Sequence, residues 1–175
     1  YRHFFYQTFL RRLKAEGVLL AAVTRNSPDV ALAPLKSGMM PLRDDDFVAV
    51  VASYFGKSAQ VRELARQLNL GLDSIVFVDD NPVELQEVSR QLPLVQCVAF
   101  PTQDDELPAL LAGLNDRFGR REVTAEDRQR TELYRRRLEG MVPQEAAGAD
   151  LRDFLRELRM RLVLQDRTRG DRARA

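Results

Sequence analysis

The stretch Ser74-Ile75-Val76-Phe77-Val78-Asp79-Asp80-Asn81-Pro82 constrains this chain more than any other. Its apolar run is rich in β-branched and aromatic residues and too short for a buried helix, so it reads as a buried strand. The strand ends in two adjacent carboxylates. Open α/β sheets bind ligands outside the carboxyl ends of their strands, which is where Asp79 and Asp80 fall. Neighbouring carboxylates repel and raise each other's pKa unless a cation offsets them. A hard cation such as Mg²⁺, held by one or two carboxylates plus substrate phosphate, suits such a pair. A plainer alternative is a strand-to-helix turn in which one Asp caps a helix starting near Pro82. That accounts for one Asp and leaves the other without a role.

The rest of the chain supplies a context of the same kind. Tyr1 to Glu16 places Phe5, Phe9, Leu10 and Leu13 among basic residues, the pattern of an amphipathic helix, closed by Gly17. Val18 to Val23 reads as a strand running into Thr24-Arg25-Asn26. Ser27-Pro28 signals a helix start, and Asp29 to Lys36 a short helix. Phe47 to Phe55 reads as a third strand-like run. Lys57 to Leu68 is helical, with Val61, Leu64, Ala65 and Leu68 on one face. Val83 to Leu92 reads as helix, Val95 to Phe100 as strand and Asp104 to Leu114 as helix. Strict alternation of helix and strand predicts a parallel sheet with right-handed crossovers.

After Arg117 the composition shifts. Thr124-Ala125-Glu126-Asp127 resembles a capping box with Asp in place of Glu, and predicts a charged helix to about Glu139. Gly140 to Gly148 reads as a linker, Asp150 to Arg159 as a second short helix, and Arg161 to Leu164 as a possible strand. Arg167 to Ala175 reads as a frayed, Arg-rich end. The expected organisation is therefore a core over 1–117, a helical extension and linker over 118–160, and a tail or the start of a further domain over 161–175.

Bulk properties exclude several classes. The 175 residues suffice for one domain of ordinary size. A formal charge of +1 argues against a dedicated nucleic-acid binder. The single cysteine, Cys97, excludes an intramolecular disulfide and a Cys-based zinc site, and reads as a small core residue. No apolar run is long enough to span a bilayer, so no membrane association is expected and a cytoplasmic protein is the default.

Three polar features fall at corresponding ends of the expected elements. Thr24 follows one strand, Lys57 begins a helix, and Asp79 and Asp80 follow another strand. A hydroxyl with nearby backbone N–H groups can hold phosphate oxygens, an ammonium can neutralise a phosphoryl group in transfer, and carboxylates can hold Mg²⁺. Phosphoryl transfer depends mainly on such positioning and charge stabilisation. Lysine is slightly unfavourable in a first helical turn, which hints at a role for Lys57.

In response-regulator receivers the acidic pair comes first; here the order is Thr, Lys, then the pair. That order resembles the haloacid dehalogenase (HAD) superfamily. Gly17 to Ala21 leading into Thr24-Arg25-Asn26-Ser27-Pro28 is similar to the second motif of its FkbH-like branch, subfamily IIIC. Leu42 to Phe47, Leu68 to Ser74, Asp79 to Glu84, Thr124 to Tyr134 and Asp153-Phe154-Leu155 extend the resemblance over nearly the whole chain. The resemblance implies a HAD-like Rossmannoid three-layer α/β fold with a parallel sheet, followed by C-terminal helices. It further implies a Mg²⁺-dependent enzyme acting through an aspartyl-phosphate. Such proteins release phosphate from a phosphorylated glyceryl donor and load the glyceryl group onto an acyl carrier protein in polyketide and related pathways. Carried over, Thr24, Arg25 and Asn26 bind the phosphorylated substrate, Lys57 stabilises its charge, Asp79 ligates Mg²⁺, and Asp80 supports the metal directly or through water.

The chain departs from that pattern. The nucleophile of the family lies in an Asp-x-Asp motif on a first strand that is missing here, between the strands ending at Thr24 and Asp79. Relatives usually carry lysine where this chain has Val51, and more polar residues at 52–56. The expectation is a fragment without the covalent step, inactive by itself. Alone it is expected to be poorly folded, or its sheet to close over the gap. The alternative is a non-catalytic remnant, or a module that docks an acidic carrier protein through the basic face Arg128 to Arg137.

Overall fold

A computed structural model describes residues 1–119 and 122–141. The elements run α1 (Arg2–Ala15), β1 (Leu20–Thr24), α2 (Pro28–Lys36), β2 (Phe47–Ala52), α3 (Lys57–Leu68), β3 (Val76–Asp79), α4 (Pro82–Gln91), β4 (Gln96–Ala99), α5 (Leu107–Phe118) and α6 (Ala125–Met141). The expected alternation is present, and the strands within each pair are parallel. Among the described residues no helix is long and apolar enough to cross a membrane. Gly140 and Met141, read as the start of a linker, belong to α6, and the rest of that linker lies outside the described residues. The short helix at 150–159 and the strand at 161–164 lie outside the described residues.

Local signals explain the boundaries. Asn69, in the left-handed conformation at φ 53°, closes α3 as its C-cap. Asn81 caps α4 by accepting the Val83 N–H at 2.9 Å, with Pro82 at the first helical position. The strand run from Phe47 stops at Ala52 rather than Phe55. Gln60 of α3 donates to the carbonyls of Ser53 and Phe55, at 3.2 and 2.8 Å, and so holds 53–56 as a turn. The helix expected at 104–114 starts later, at Leu107 after a single 3₁₀ turn, and runs to Phe118.

The strands form two separate two-stranded sheets, β1–β2 and β3–β4, rather than one. Leu20 to Thr24 pair with Phe47 to Ala52, and Val76 to Asp79 with Gln96 to Ala99. The gap expected between the strands ending at Thr24 and Asp79 is open, and the sheet does not close over it. Each half has its own apolar cluster. Val61, Phe77, Val88, Leu92 and Val95 pack together at β3 and β4, with Val88 fully buried. Val48, Leu64 and Leu68 pack at β2, covered by Tyr134 and Leu138 of α6. Helix α3 contributes to both clusters and so joins the halves. Cys97 packs against the first cluster, and burial pushes its thiol pKa up, in keeping with a core residue.

Helix α6 starts at the capping box read from the sequence. The Thr124 N–H donates to Asp127 Oδ2 at 3.0 Å, and the Asp127 N–H donates to Thr124 Oγ1 at 3.1 Å. Its inner face is Asp127, Thr131, Tyr134, Arg135 and Leu138, at helical spacing.

A second anchor ties α1 to the turn before β2. Asp46 is buried, accepts the Arg43 N–H at 2.9 Å and pairs with Lys14 at 3.0 Å. Burial pushes the Asp46 carboxyl up, but the Arg43 N–H and the Lys14 ammonium more than offset this, so it titrates below its ordinary value. A folded-state pKa below the unfolded value contributes stability above the unfolded pKa, near 4, that is lost as pH falls through the folded value. Asp46→Asn is therefore expected to destabilise by about 1–2 kcal/mol at neutral pH. The difference from wild type should shrink below about pH 4. Urea unfolding of both proteins across pH 3 to 7 checks this; a constant difference would remove Asp46 ionisation as its source.

Candidate functional site

Strands β1 and β3 each deliver their last residue to the same end of the molecule. Direct bonds show it: Lys57, the first residue of α3, pairs with Asp79 at 2.5 Å, and Arg25, just after β1, pairs with Glu84 of α4 at 3.2 Å. Residues from three different connections thus meet where the parallel strands end, the position α/β folds use for ligands.

Asp79 is held on both carboxylate oxygens. Oδ2 accepts from Lys57 Nζ and Oδ1 accepts the Asn81 N–H at 2.9 Å. The pair is nearly dry, with side-chain exposures of 16% for Lys57 and 8% for Asp79. Lys57 also lies 5.9 Å from the centroid of the Phe77 ring, so its position is set by strand β3. Asp80 is exposed and makes no hydrogen bond or ion pair among the described residues. The acidic pair is therefore split in function: one carboxylate is locked to a cation of the chain and the other faces solvent.

Thr24 ends β1 with its carbonyl accepting the Ser53 N–H at 3.0 Å. Its Oγ1 accepts the Asn26 N–H at 3.2 Å, which fixes the rotamer and leaves the hydroxyl proton available as a donor. Arg25 is half exposed but tied to Glu84, which is buried in the first turn of α4, where the helix dipole favours a carboxylate. The structure thus gathers Thr24, Lys57, Asp79 and Asp80 at one end, and shows Arg25 as a partner of Glu84.

Two supporting residues had no signal in the sequence. Glu87 of α4 accepts both the Ser58 N–H, at 3.1 Å, and the Ser58 hydroxyl, so it caps the N-terminus of α3 and holds Lys57 in place. Gln60 fixes the turn that precedes Lys57. Both act across the fold or on carbonyls of a turn, which no local pattern marks.

The donor set fits a hard divalent cation. Mg²⁺ is usually bound by one or two carboxylates, with waters and substrate phosphate completing its octahedron. Asp80 is free, and each Asp79 oxygen retains an unused lone pair. Among the described residues no group of three or more His, Cys, Asp or Glu forms an all-protein cage. Such a site would hold a metal only together with water or phosphate.

No family model matches the chain, and no curated protein matches it. Among solved structures it is similar to the N-terminal part of the protein BF1531 from Bacteroides fragilis, which contains a phosphatase domain and was crystallised with Mg. The identity is 32% over 63% of this chain, with a TM-score of 0.59. The match spans 30% of that chain. The likeness and the parallel strand pairs together show the HAD-like α/β fold class.

Proposed function

We propose that this chain is part of a Mg²⁺-dependent phosphoryl-transfer enzyme of the FkbH type. The observation that carries the reading is the Lys57–Asp79 pair beside the free Asp80 at the carboxyl ends of parallel strands. The Mg-bound phosphatase domain of the similar structure supports it. In this reading Asp79 and Asp80 hold the metal, which neutralises phosphate charge when bound. Thr24 donates its hydroxyl to a phosphoryl oxygen. Lys57, which keeps two of its three N–H donors beyond Asp79, stabilises charge that builds on the same group. Arg25 orients Glu84 and borders the substrate. In the family that the sequence resembles, the nucleophile is an aspartate of an Asp-x-Asp motif. The finer role proposed is loading of a glyceryl group, from a phosphorylated donor, onto an acyl carrier protein.

Mg²⁺ at ten times its Kd is expected to stabilise the chain by about 1.4 kcal/mol, because a ligand that binds only the native state must shift unfolding. Asp80→Asn should abolish that shift while leaving the metal-free stability nearly unchanged. Thermal unfolding with and without MgCl₂, at constant ionic strength, checks it; an equal shift in the variant would remove Asp80 from the metal site. For the finer role, mass spectrometry of a carrier protein incubated with the donor and the complete enzyme decides: no mass increase would leave a plain phosphatase.

The second reading, a carrier-docking module, is served by the exposed arginines of α6. Arg128, Arg136 and Arg137 face solvent, whereas Arg135 donates to the carbonyls of Asp44 and Phe47 at 3.0 and 3.3 Å. Charge reversal at Arg136 and Arg137 tests docking; reversal at Arg135 would disturb the packing of α6.

A further inference from the structure

The contacts that tie the candidate site together also bring apolar residues to its mouth. The Ser53 N–H donates to the Thr24 carbonyl at 3.0 Å, so the turn 53–56 abuts the end of β1. The same turn abuts α4: a Cβ on Gly56 would stand 3.0 Å from Glu87 Oε1. Val83 lies one helical turn before Glu87, on the same face of α4. The turn therefore leads into Lys57 on one side of the Lys57–Asp79 pair, and Asp80 leads into Pro82 and Val83 on the other.

The residues at these two places are apolar and wet. Tyr54 is 73% exposed, Val83 69% and Phe55 44%, and Pro82 is exposed as well. Tyr54 makes no side-chain hydrogen bond and no ring contact among the described residues. Their backbone is nonetheless fixed. Gln60 holds the carbonyls of Ser53 and Phe55, the Phe55 N–H donates to Ser53 Oγ at 3.3 Å, and Asn81 holds the Val83 N–H. Scattered apolar side chains are ordinary on a surface, whereas a group of them rimming a polar site marks a place where a ligand is held.

The size of the group decides what covers it. A protein partner engages about 20–30 residues a side, and this rim consists of a short turn and the first residues of one helix. It suits a single ring-sized group. A ligand whose phosphate is held by Thr24 and Lys57 places its next atoms at this rim. Hydroxyls there would give up water for apolar side chains that offer them no partner. An apolar ring instead shields the rim and is shielded by it, and covering about 80 Å² of its surface is worth roughly 30-fold in affinity.

We propose that Tyr54, Phe55, Pro82 and Val83 form the specificity rim of the phosphoryl site, which takes a phosphomonoester whose body beyond the phosphate is apolar and ring-sized. The inference rests on the phosphoryl-transfer reading above and not on the glyceryl role.

The test measures Kd values for the whole chain with saturating Mg²⁺, using inorganic phosphate, glycerol 1-phosphate, 1-naphthyl phosphate and 1-naphthol, followed by amide chemical shifts. The naphthyl ester is expected to bind at least tenfold more tightly than glycerol 1-phosphate and to shift the amides of Thr24 and Lys57 together with those of Tyr54 and Val83. Tyr54→Ser and Val83→Ser are each expected to lower the ratio of the two Kd values severalfold, and the double variant to bring it near one. A role in folding alone would weaken both esters and leave the ratio in place. Equal binding of the two esters overturns the proposal, as does a preference for glycerol 1-phosphate or an unchanged ratio in the double variant. Binding of 1-naphthol as tight as that of its phosphate also overturns it, since the ring would then be held without the phosphoryl site. Inorganic phosphate that binds without any preference for the naphthyl ester removes this inference alone, whereas failure of every phosphate to bind removes the phosphoryl reading with it.

Discussion

Lys57→Met is expected to destabilise the chain by about 2–4 kcal/mol, because it leaves a nearly dry carboxylate without its cation. The Asp79 side chain is 8% exposed and its Oδ2 loses the Lys57 ammonium. The Asn81 N–H remains on Oδ1, which limits the loss. Removing both charges together, Lys57→Met with Asp79→Leu, should recover part of the stability, since a buried pair replaced by apolar groups is often near neutral. Unfolding is best followed by urea titration in the presence of sucrose, which favours the compact state. If the single variant unfolds like wild type, the pair is not a closed, desolvated contact. Under the proposed phosphoryl-transfer function the same substitution should lower phosphate release by about 10²–10³.

Gly17→Ala is the second large effect expected, about 2–4 kcal/mol, from two causes that add at one atom. Gly17 sits at φ 90°, where an L side chain is strained. A Cβ there would stand 2.9 Å from Asp127 Cβ and 3.2 Å from its Cα, so α6 itself would have to move. Asp127 is the partner of Thr124 in the capping box of α6, and its displacement loosens the helix that covers β2 through Tyr134 and Leu138. The signature is regional: amide exchange should rise in α6 and β2 while α4 and β4 stay protected. A uniform rise across the fold would mean that α6 is not a separable layer. Asp127→Ala in the Gly17→Ala background should not recover the loss, because the strain in φ and the missing cap both remain.

Much of the fold was legible locally. The order of helices and strands follows from helical apolar spacing and short continuous apolar runs, and the caps at Asn69, Asn81 and Thr124 are chemical signals within a few residues of the ends they fix. The gathering of candidate residues was legible as well: Thr24, Lys57, Asp79 and Asp80 each follow or begin an element, and parallel topology brings such ends together. The division of labour between the two carboxylates was not, since it depends on Lys57 reaching Asp79 across 22 residues. The roles of Glu84 and Glu87 were not legible for the same reason: their partners Arg25 and Ser58 lie 59 and 29 positions away. Arg135, read as part of a basic face, is an internal anchor because the turn of α6 points it at two carbonyls of the segment before β2 and at its start.

The amino-acid sequence by itself determined the elements, their parallel order and the residues that collect at the strand ends, because these depend on contacts within a turn or a strand and on handedness common to all L-chains. Only the tertiary structure decided which carboxylate is neutralised, which arginine of α6 is an internal anchor, and that the half-sheets stand apart around an apolar cavity lined with backbone edges. Those outcomes depend on distances between groups far apart in the chain, and burial sets their energies, so no local pattern encodes them.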